Sequence, residues 1–301
     1  MNILDIPQAG VHLEYASCMD ELIPSQFETY CRLFIELKEG KISIADFYVR
    51  MVIELLDIDL GYGYKRLPER VSESIHDNLR QITETLTWLL VERDENGVVQ
   101  IEPNIEFARN LIPALGNNMG PADALQNVSL AEFRDAIGHS MNFTLTNDEE
   151  HLNRLCASLY RPKNPRWLTL SQYPEWNGDK RFLYSSAYAE TSFNRFLRFP
   201  IWQRFGVYLM FNAALNFLKT GTVTIEGKEI SFSILWEGNE PQSDKPGIGM
   251  AGVLFSLAET GVFGTLKDVE RVNLYVALAR LYQVKINEPK MNKDDTNHPN
   301  S

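Results

Sequence analysis

The sequence has few cysteines and no long hydrophobic run. Its three cysteines, Cys18, Cys31 and Cys156, are far apart and form no CxxC pair. An odd, scattered set does not build a disulfide framework, so we expect a protein of a reducing cytosol. The longest apolar stretch, residues 205–218, is 14 residues long and contains two asparagines. A membrane span needs about 20 apolar residues, so this stretch predicts a buried helix, and no membrane contact or signal peptide is expected.

Positive charge is scarce as well. The chain has 29 Lys and Arg against 40 Asp and Glu, a formal net charge of −11. Phosphate backbones and anionic membranes repel such a chain, which makes general nucleic-acid binding unfavourable. The remaining composition, 44% hydrophobic and 23% charged, is that of a globular protein long enough for one large domain or two smaller ones.

Strand signals are few, whereas helix signals recur. Alternating apolar residues predict one antiparallel β-hairpin at about 222–236, and residues 98–101 are a weaker strand candidate. Apolar residues at helical spacing predict helices over residues 24–40, 73–92 and 267–283. The fold class is therefore mainly α, a multi-helix globular protein with one small hairpin. Four helix starts are indicated by the capping pattern S/T-x-x-D/E, which begins at Ser43, Ser129, Thr146 and Thr265.

A domain boundary is indicated where Pro162, Asn164 and Pro165 follow a helical pattern. We expect a helical lobe over residues 1–160 and an aromatic-rich helical lobe with the hairpin over residues 161–288. Residues 289–301 are polar and without periodicity, which predicts a disordered tail. A single domain over the same residues stays open as the alternative.

Residues 247–252 spell G-x-G-x-x-G before a helix-like segment. A dinucleotide-binding loop of this form follows a β-strand, but here a polar, proline-containing segment precedes the first glycine. The favoured interpretation is a glycine-rich connection that lets a helix pack closely. A nucleotide-binding enzyme that uses this loop remains the alternative.

No other segment predicts a reaction. Glu132, Asp135 and His139 fall on one helical face, but Glu132 is explained as a capping acid and no further ligands stand out. Cys156 lies on the apolar stripe of its helix and is interpreted as a core residue. The chain has no G-x-S-x-G elbow and no P-loop. We therefore predict no catalytic, metal-binding or cofactor-binding residues, and a protein that is not an enzyme.

Residues 160–220 differ most from the rest of the chain. They hold 15 of the 33 aromatic residues and nine basic against three acidic residues, a local charge of +6, which leaves −17 elsewhere. Three interpretations are open: rings in the core with arginines paired to distant acids, a protein-binding surface, or nucleic-acid binding by residues 160–220. For the second, loop signals and helix ends predict an exposed surface that self-associates or binds an acidic partner. Its residues are Arg161, Arg166, Trp167, Tyr173, Trp176, Arg195 and Arg198.

Residues 120–136, 152–162 and 252–283, together with the hairpin, resemble proteins encoded in tailed phages and prophages of Bacteroidota-type bacteria. Those proteins are encoded in or near tail-morphogenesis genes. The resemblance implies a non-enzymatic role in virion assembly, as a tail-assembly chaperone or a structural component. It implies other phage tail or assembly proteins, or a second copy of the chain, as partners, and a location in the bacterial host cell or the virion.

Overall fold

Helices make up most of the described chain. The computed structural model describes residues 1–6, 11–58, 82–95, 98–174, 176, 178–225, 227–236, 257, 259 and 261–287. The helices in these ranges are α1 (Pro24–Lys38), α2 (Ile44–Leu55), α3 (Leu130–Thr146), α4 (Glu149–Leu159), α5 (Trp167–Leu170), α6 (Ser186–Ser192), α7 (Ile201–Thr220), α8 (Leu266–Arg271) and α9 (Leu274–Asn287). Within them, no helix is both long enough and apolar enough to span a bilayer.

The strands form four small antiparallel sheets in the described residues, so the expectation of one hairpin was too low. Each sheet except the third is a two-stranded hairpin, and the third has the order β5-β6-β7. The strands are β1 (Asn2–Ile6), β2 (Val11–Tyr15), β3 (Leu90–Glu95), β4 (Val98–Pro103), β5 (Ala114–Leu115), β6 (Asn118–Met119), β7 (Arg161–Pro162), β8 (Thr222–Ile225) and β9 (Lys228–Ser231).

The missed strands have identifiable causes. Strands β5 to β7 are only two residues long, too short to leave a two-residue periodicity in the sequence. Strand β4 confirms the weak candidate at 98–101, and its partner β3 occupies the end of the segment predicted as a helix over 73–92. The residues just before β3 form a 3₁₀ helix over Glu84–Leu89, and residues 73–81 of that prediction lie outside the described residues. In the confirmed hairpin, pairing ends at Ser231 and a 3₁₀ helix follows.

Three of the four predicted helix starts are confirmed. Each has a capping box, in which the acid three residues after the cap returns to the cap backbone. The pairs are Ser43 with Asp46, Ser129 with Glu132, and Thr265 with Asp268.

The start predicted at Thr146 is wrong. Thr146 is the last residue of α3, and its hydroxyl donates to the carbonyl of Asn142 at 2.8 Å. Asn147 ends that helix in a left-handed conformation, with φ of 54°. The cap of α4 is Asp148, whose carboxylate accepts from the Glu150 N–H at 2.9 Å. Two adjacent helices therefore compete for one stretch of capping residues, which the local pattern does not resolve.

The segment 267–283 contains a break rather than one helix. Helices α8 and α9 are separated at Val272 and Asn273, which pair with the chain just before α3. Leu130 donates its N–H to the Val272 carbonyl at 2.9 Å, and Leu274 donates to Val128 at 2.9 Å. These bonds anchor the junction between α8 and α9 to the start of α3.

The hydrophobic core is built around α7, which packs against α1 and α4. Phe34 of α1 and Phe205 of α7 stack with ring centroids 5.9 Å apart. The buried cluster runs from Tyr15 to Leu278 and includes side chains from both sides of residue 160. The division into two lobes stays a prediction.

Two helix glycines offer a matched test of this packing. A Cβ added at Gly206 in α7 would lie 2.4 Å from Ile112 Cδ1 and 3.2 Å from Cys31 Sγ, whereas one at Gly138 in α3 meets nothing within 4 Å. We expect Gly206→Ala to destabilise the fold by about 1–2 kcal/mol, because overpacking outweighs the helix propensity of alanine. Gly138→Ala should stabilise it by about 0.5–1 kcal/mol. Urea unfolding measures both, and equal effects at the two positions would contradict this packing.

Candidate functional site

Four charged side chains form a buried network at the N-terminus of α3. Arg161 and Arg181 both bind Glu132, with nitrogen–oxygen distances of 2.8 and 2.9 Å. Both also bind Asp179, at 3.2 and 2.8 Å. The side chains of Glu132, Arg161 and Arg181 are at most 4% exposed. The two positive and two negative charges balance inside the protein.

The remaining donors of the two guanidinium groups are directed to backbone carbonyls. Arg161 donates to Ser158 at 2.9 Å and to Phe182 at 2.8 Å, and Arg181 donates to Leu159 at 2.6 Å. Burial by itself would lower the pKa of Arg181, but the adjacent carboxylates outweigh it and raise that pKa above its usual value. Arg181 therefore remains charged.

Glu132 has two structural tasks. As the third residue of α3 it completes the capping box with Ser129, and its carboxylate also accepts from both buried arginines. The sequence indicates only the first task, because a capping box is local. The ion pairs join Glu132 to residues 29 and 49 positions away.

This network forms the floor of an open cleft of about 1050 Å³. Six cationic and three acidic side chains line the cleft, although the whole chain carries −11. Arg166, Lys267 and Arg271 are exposed there and form no ion pair with any described residue. The surplus positive charge therefore lies at the rim, where a ligand would meet it.

One wall of the cleft is apolar. Leu170, Tyr173 and Leu183 line it and are 39%, 59% and 83% exposed. Trp176 is half-buried, and its indole N–H donates to the Asp179 carbonyl at 3.1 Å. Exposed rings and leucines beside cations are typical of surfaces that bind polypeptide.

A second polar cluster joins the cleft to α8. Arg134 binds Asp135 at 2.7 Å and Glu270 at 3.0 Å. Tyr184 and Ser186 donate to the same carboxylate oxygen of Asp135, at 2.6 and 2.5 Å. Burial alone would raise the pKa of Asp135, but hydrogen bonds from Arg134, Ser186 and Tyr184 lower it overall. The ion pair between Arg134 and Glu270 holds α8, which carries part of the rim, against α3.

The structure assigns the predicted surface residues to different environments. Arg161 was expected to be exposed, and this is wrong: its side chain is 4% exposed because Glu132 and Asp179 bind it inside the protein. Arg166, Tyr173 and Trp176 line the cleft together, as rim and wall.

The other three predicted surface residues lie outside the cleft lining. Trp167 packs against the ammonium groups of Lys163 and Lys180, 4.7 and 4.9 Å from the ring centroid. Arg195 lies over the ring of Tyr188 and Arg198 over that of Phe199. All three predicted residues are exposed or half-buried.

The cleft also contains residues that the sequence did not indicate, namely Arg134, Arg181, Lys267 and Arg271. Arg181 lies inside the basic, aromatic segment and could have been found there as a candidate. Lys267 and Arg271 come from α8, almost ninety positions after Arg181 in the chain, and no local pattern links them to it.

The candidate chemical motifs have separate outcomes. Glu132 and Asp135 are bound to arginines, and the described residues contain no group of three or more His, Cys, Asp or Glu arranged to hold a metal. Cys156 is fully buried, as predicted, and burial raises the pKa of its thiol. The glycine-rich loop at 247–252 lies outside the described residues.

Glu132→Gln tests how much the fold depends on the buried network. Glutamine keeps the side-chain shape and can complete a capping box, so the change removes mainly the negative charge beside two buried arginines. Removing one partner of a buried ion pair is strongly destabilising, and we expect a loss of about 2–4 kcal/mol in the free energy of unfolding.

Glu150→Gln is the matched control. Glu150 also lies in the first turn of a helix and binds Arg154, but its side chain is 50% exposed. An exposed ion pair contributes little, so the control should change stability by less than about 0.5 kcal/mol. Similar small losses in both variants, measured by urea unfolding, would show that the network does not carry the fold.

Comparisons with protein-family models, with curated proteins and with solved structures find no match to this chain.

Proposed function

We propose that this chain is a non-enzymatic interaction protein whose cleft binds an acidic polypeptide segment of a partner. The observation that carries the proposal is the net positive charge of the cleft lining. Three exposed cations, Arg166, Lys267 and Arg271, surround a floor whose buried charges balance. Charge complementarity of this kind steers association and selects partners more than it sets affinity.

The apolar wall favours polypeptide as the occupant. Seven of the twenty exposed large hydrophobic side chains in the described residues fall within residues 168–197. Two of the seven, Leu170 and Leu183, are leucines of the cleft wall. Leucines suit protein side chains, whereas single-stranded nucleic acid is bound by stacking on aromatic rings.

Internal ion pairs also weaken the nucleic-acid alternative. Arg161, Arg181 and Arg204 are three of the nine basic residues in 160–220, and all three are buried. Arg204 binds Glu149 at 2.8 Å. Charges used inside the fold do not reach a phosphate backbone, which leaves a smaller cationic surface than the composition indicates.

Virion assembly is the proposed setting, as a tail-assembly chaperone or a structural component. It is supported by the resemblance of residues 120–136, 152–162 and 252–283 to proteins of tailed phages. We expect tape-measure and tail-tube genes beside the gene for this chain. Sequencing the flanking genes checks this, and a metabolic operon would instead favour the nucleotide-enzyme alternative at 247–252.

The cleft is tested by reversing its rim charges. We expect the double variant Arg166→Glu, Lys267→Glu to lose affinity for acidic peptides by about tenfold or more, because it places like charges against the ligand. Lys219→Glu is the control, since Lys219 is exposed on α7 and outside the cleft. Fluorescence anisotropy with a library of short labelled peptides, matched in length and differing in charge, measures the affinities.

Acidic peptides should bind the wild type and the control alike, more weakly as salt rises. Binding of basic peptides in their place would contradict the proposal, as would acidic peptides that bind the double variant unchanged. Tighter binding of labelled single-stranded DNA than of the acidic peptides would favour the nucleic-acid alternative. Sedimentation velocity of the same proteins shows whether the acidic partner is a second copy of the chain.

A further inference from the structure

Another cavity, of about 800 Å³, lies along strand β8 of the β8–β9 hairpin. All four residues of β8, Thr222, Val223, Thr224 and Ile225, line this groove. The groove shares no lining residue with the cleft, so it is a separate place on the molecule.

The outer edge of β8 has backbone hydrogen-bonding groups to which no other strand of the described residues is paired. In the described residues β8 pairs with β9 alone, and Ile225 faces Lys228 across a two-residue connection. In such a hairpin the pair beside the connection exchanges both hydrogen bonds, and bonded pairs alternate with non-bonded pairs. Thr222 and Thr224 are therefore in non-bonded pairs and direct their N–H and C=O groups away from β9. No other described backbone group bonds to them.

The lining residues outside β8 are held in place by hydrogen bonds. Ala124 donates its N–H to the Ala108 carbonyl at 2.6 Å, and its own carbonyl accepts from the Tyr275 hydroxyl at 2.7 Å. Asp123 accepts from the Asn110 N–H at 2.7 Å. Hydrogen-bonded lining residues beside a strand edge that no other described strand pairs with form a preformed slot for an extended segment.

The charges in the groove specify the segment further. One carboxylate oxygen of Asp20 accepts the N–H groups of Ala108 and Arg109, while the Arg109 guanidinium donates to the Asp20 carbonyl. The second carboxylate oxygens of Asp20 and Asp123 bind no described residue. The lining therefore has two carboxylates against one arginine, the opposite sign to the cleft.

We propose that this groove binds an extended polypeptide segment, which adds to β8 as a third strand and places a Lys or Arg side chain against Asp20 and Asp123. Its backbone pairs with the free groups of Thr222 and Thr224, and alternate side chains pack toward Phe217 and Tyr275. Main-chain hydrogen bonds give the affinity, and the acidic wall gives the preference for a cation. This interface is independent of the cleft and can be present whether or not the cleft binds an acidic partner.

The experiment distinguishes the contribution of the Thr224 backbone N–H to peptide binding from that of its side chain. Short randomised peptides are selected on the full-length wild type, and their affinities are then measured for Thr224→Pro and Thr224→Val. Proline removes the outward N–H, whereas valine keeps it and has nearly the shape of threonine. We expect Thr224→Pro to weaken binding by about fivefold or more and Thr224→Val to leave it within about twofold.

Two further measurements complete the test. The selected peptides should be enriched in Lys and Arg, and Asp123→Asn should weaken those peptides while leaving neutral ones unchanged. Amide hydrogen exchange at Thr222 and Thr224 should slow when a peptide binds, a result that does not depend on the proline variant folding. Failure to select any peptide, or selection of acidic peptides, would overturn the proposal. Equal affinities of Thr224→Pro and Thr224→Val would also overturn it, as would unchanged hydrogen exchange at both threonines.

Discussion

The rest of the candidate site depends on one constraint, which is that two arginines are buried beside two carboxylates. Removing Arg161, Arg181, Glu132 and Asp179 from water is costly, and the cost is offset only when all four meet with their remaining donors satisfied. The start of α3, the end of α4 and the chain around residue 180 must therefore converge at one point. That convergence makes an electrically balanced floor, and the rim cations, which form no ion pair with a described residue, give the cleft its net positive charge.

The chain is acidic overall, yet the cleft lining has a net positive charge and the groove lining a net negative charge. In the cleft the cations come from helix ends and loops, and in the groove the carboxylates of Asp20 and Asp123 share the lining with β8, whose outer edge pairs with no other described strand. The proposed modes of recognition differ too, because the cleft would bind through side chains and the groove through backbone hydrogen bonds. With both proposed interfaces, the protein would hold two different segments at once, which would suit a role in bringing chains together.

Local rules explain the parts of the fold that sequence analysis predicted. The capping boxes at Ser43, Ser129 and Thr265 involve residues three positions apart, and the apolar stretch at 205–218 is buried in α7 because its composition allows little else. The same rules failed at Thr146, where two helices share one capping region. They failed again at the break between α8 and α9, which distant backbone bonds stabilise.

The sequence by itself determined that the protein is mainly helical, where several helices begin, and that basic and aromatic residues concentrate in 160–220. Only the tertiary structure decided which of those residues are available to a partner. Arg161 and Arg166 are five positions apart and chemically identical, yet Arg161 is bound inside the fold and Arg166 lies at the rim. The difference arises because Glu132 and Asp179, which take up Arg161, are brought to it by packing, and the position of a distant carboxylate is not encoded in local periodicity.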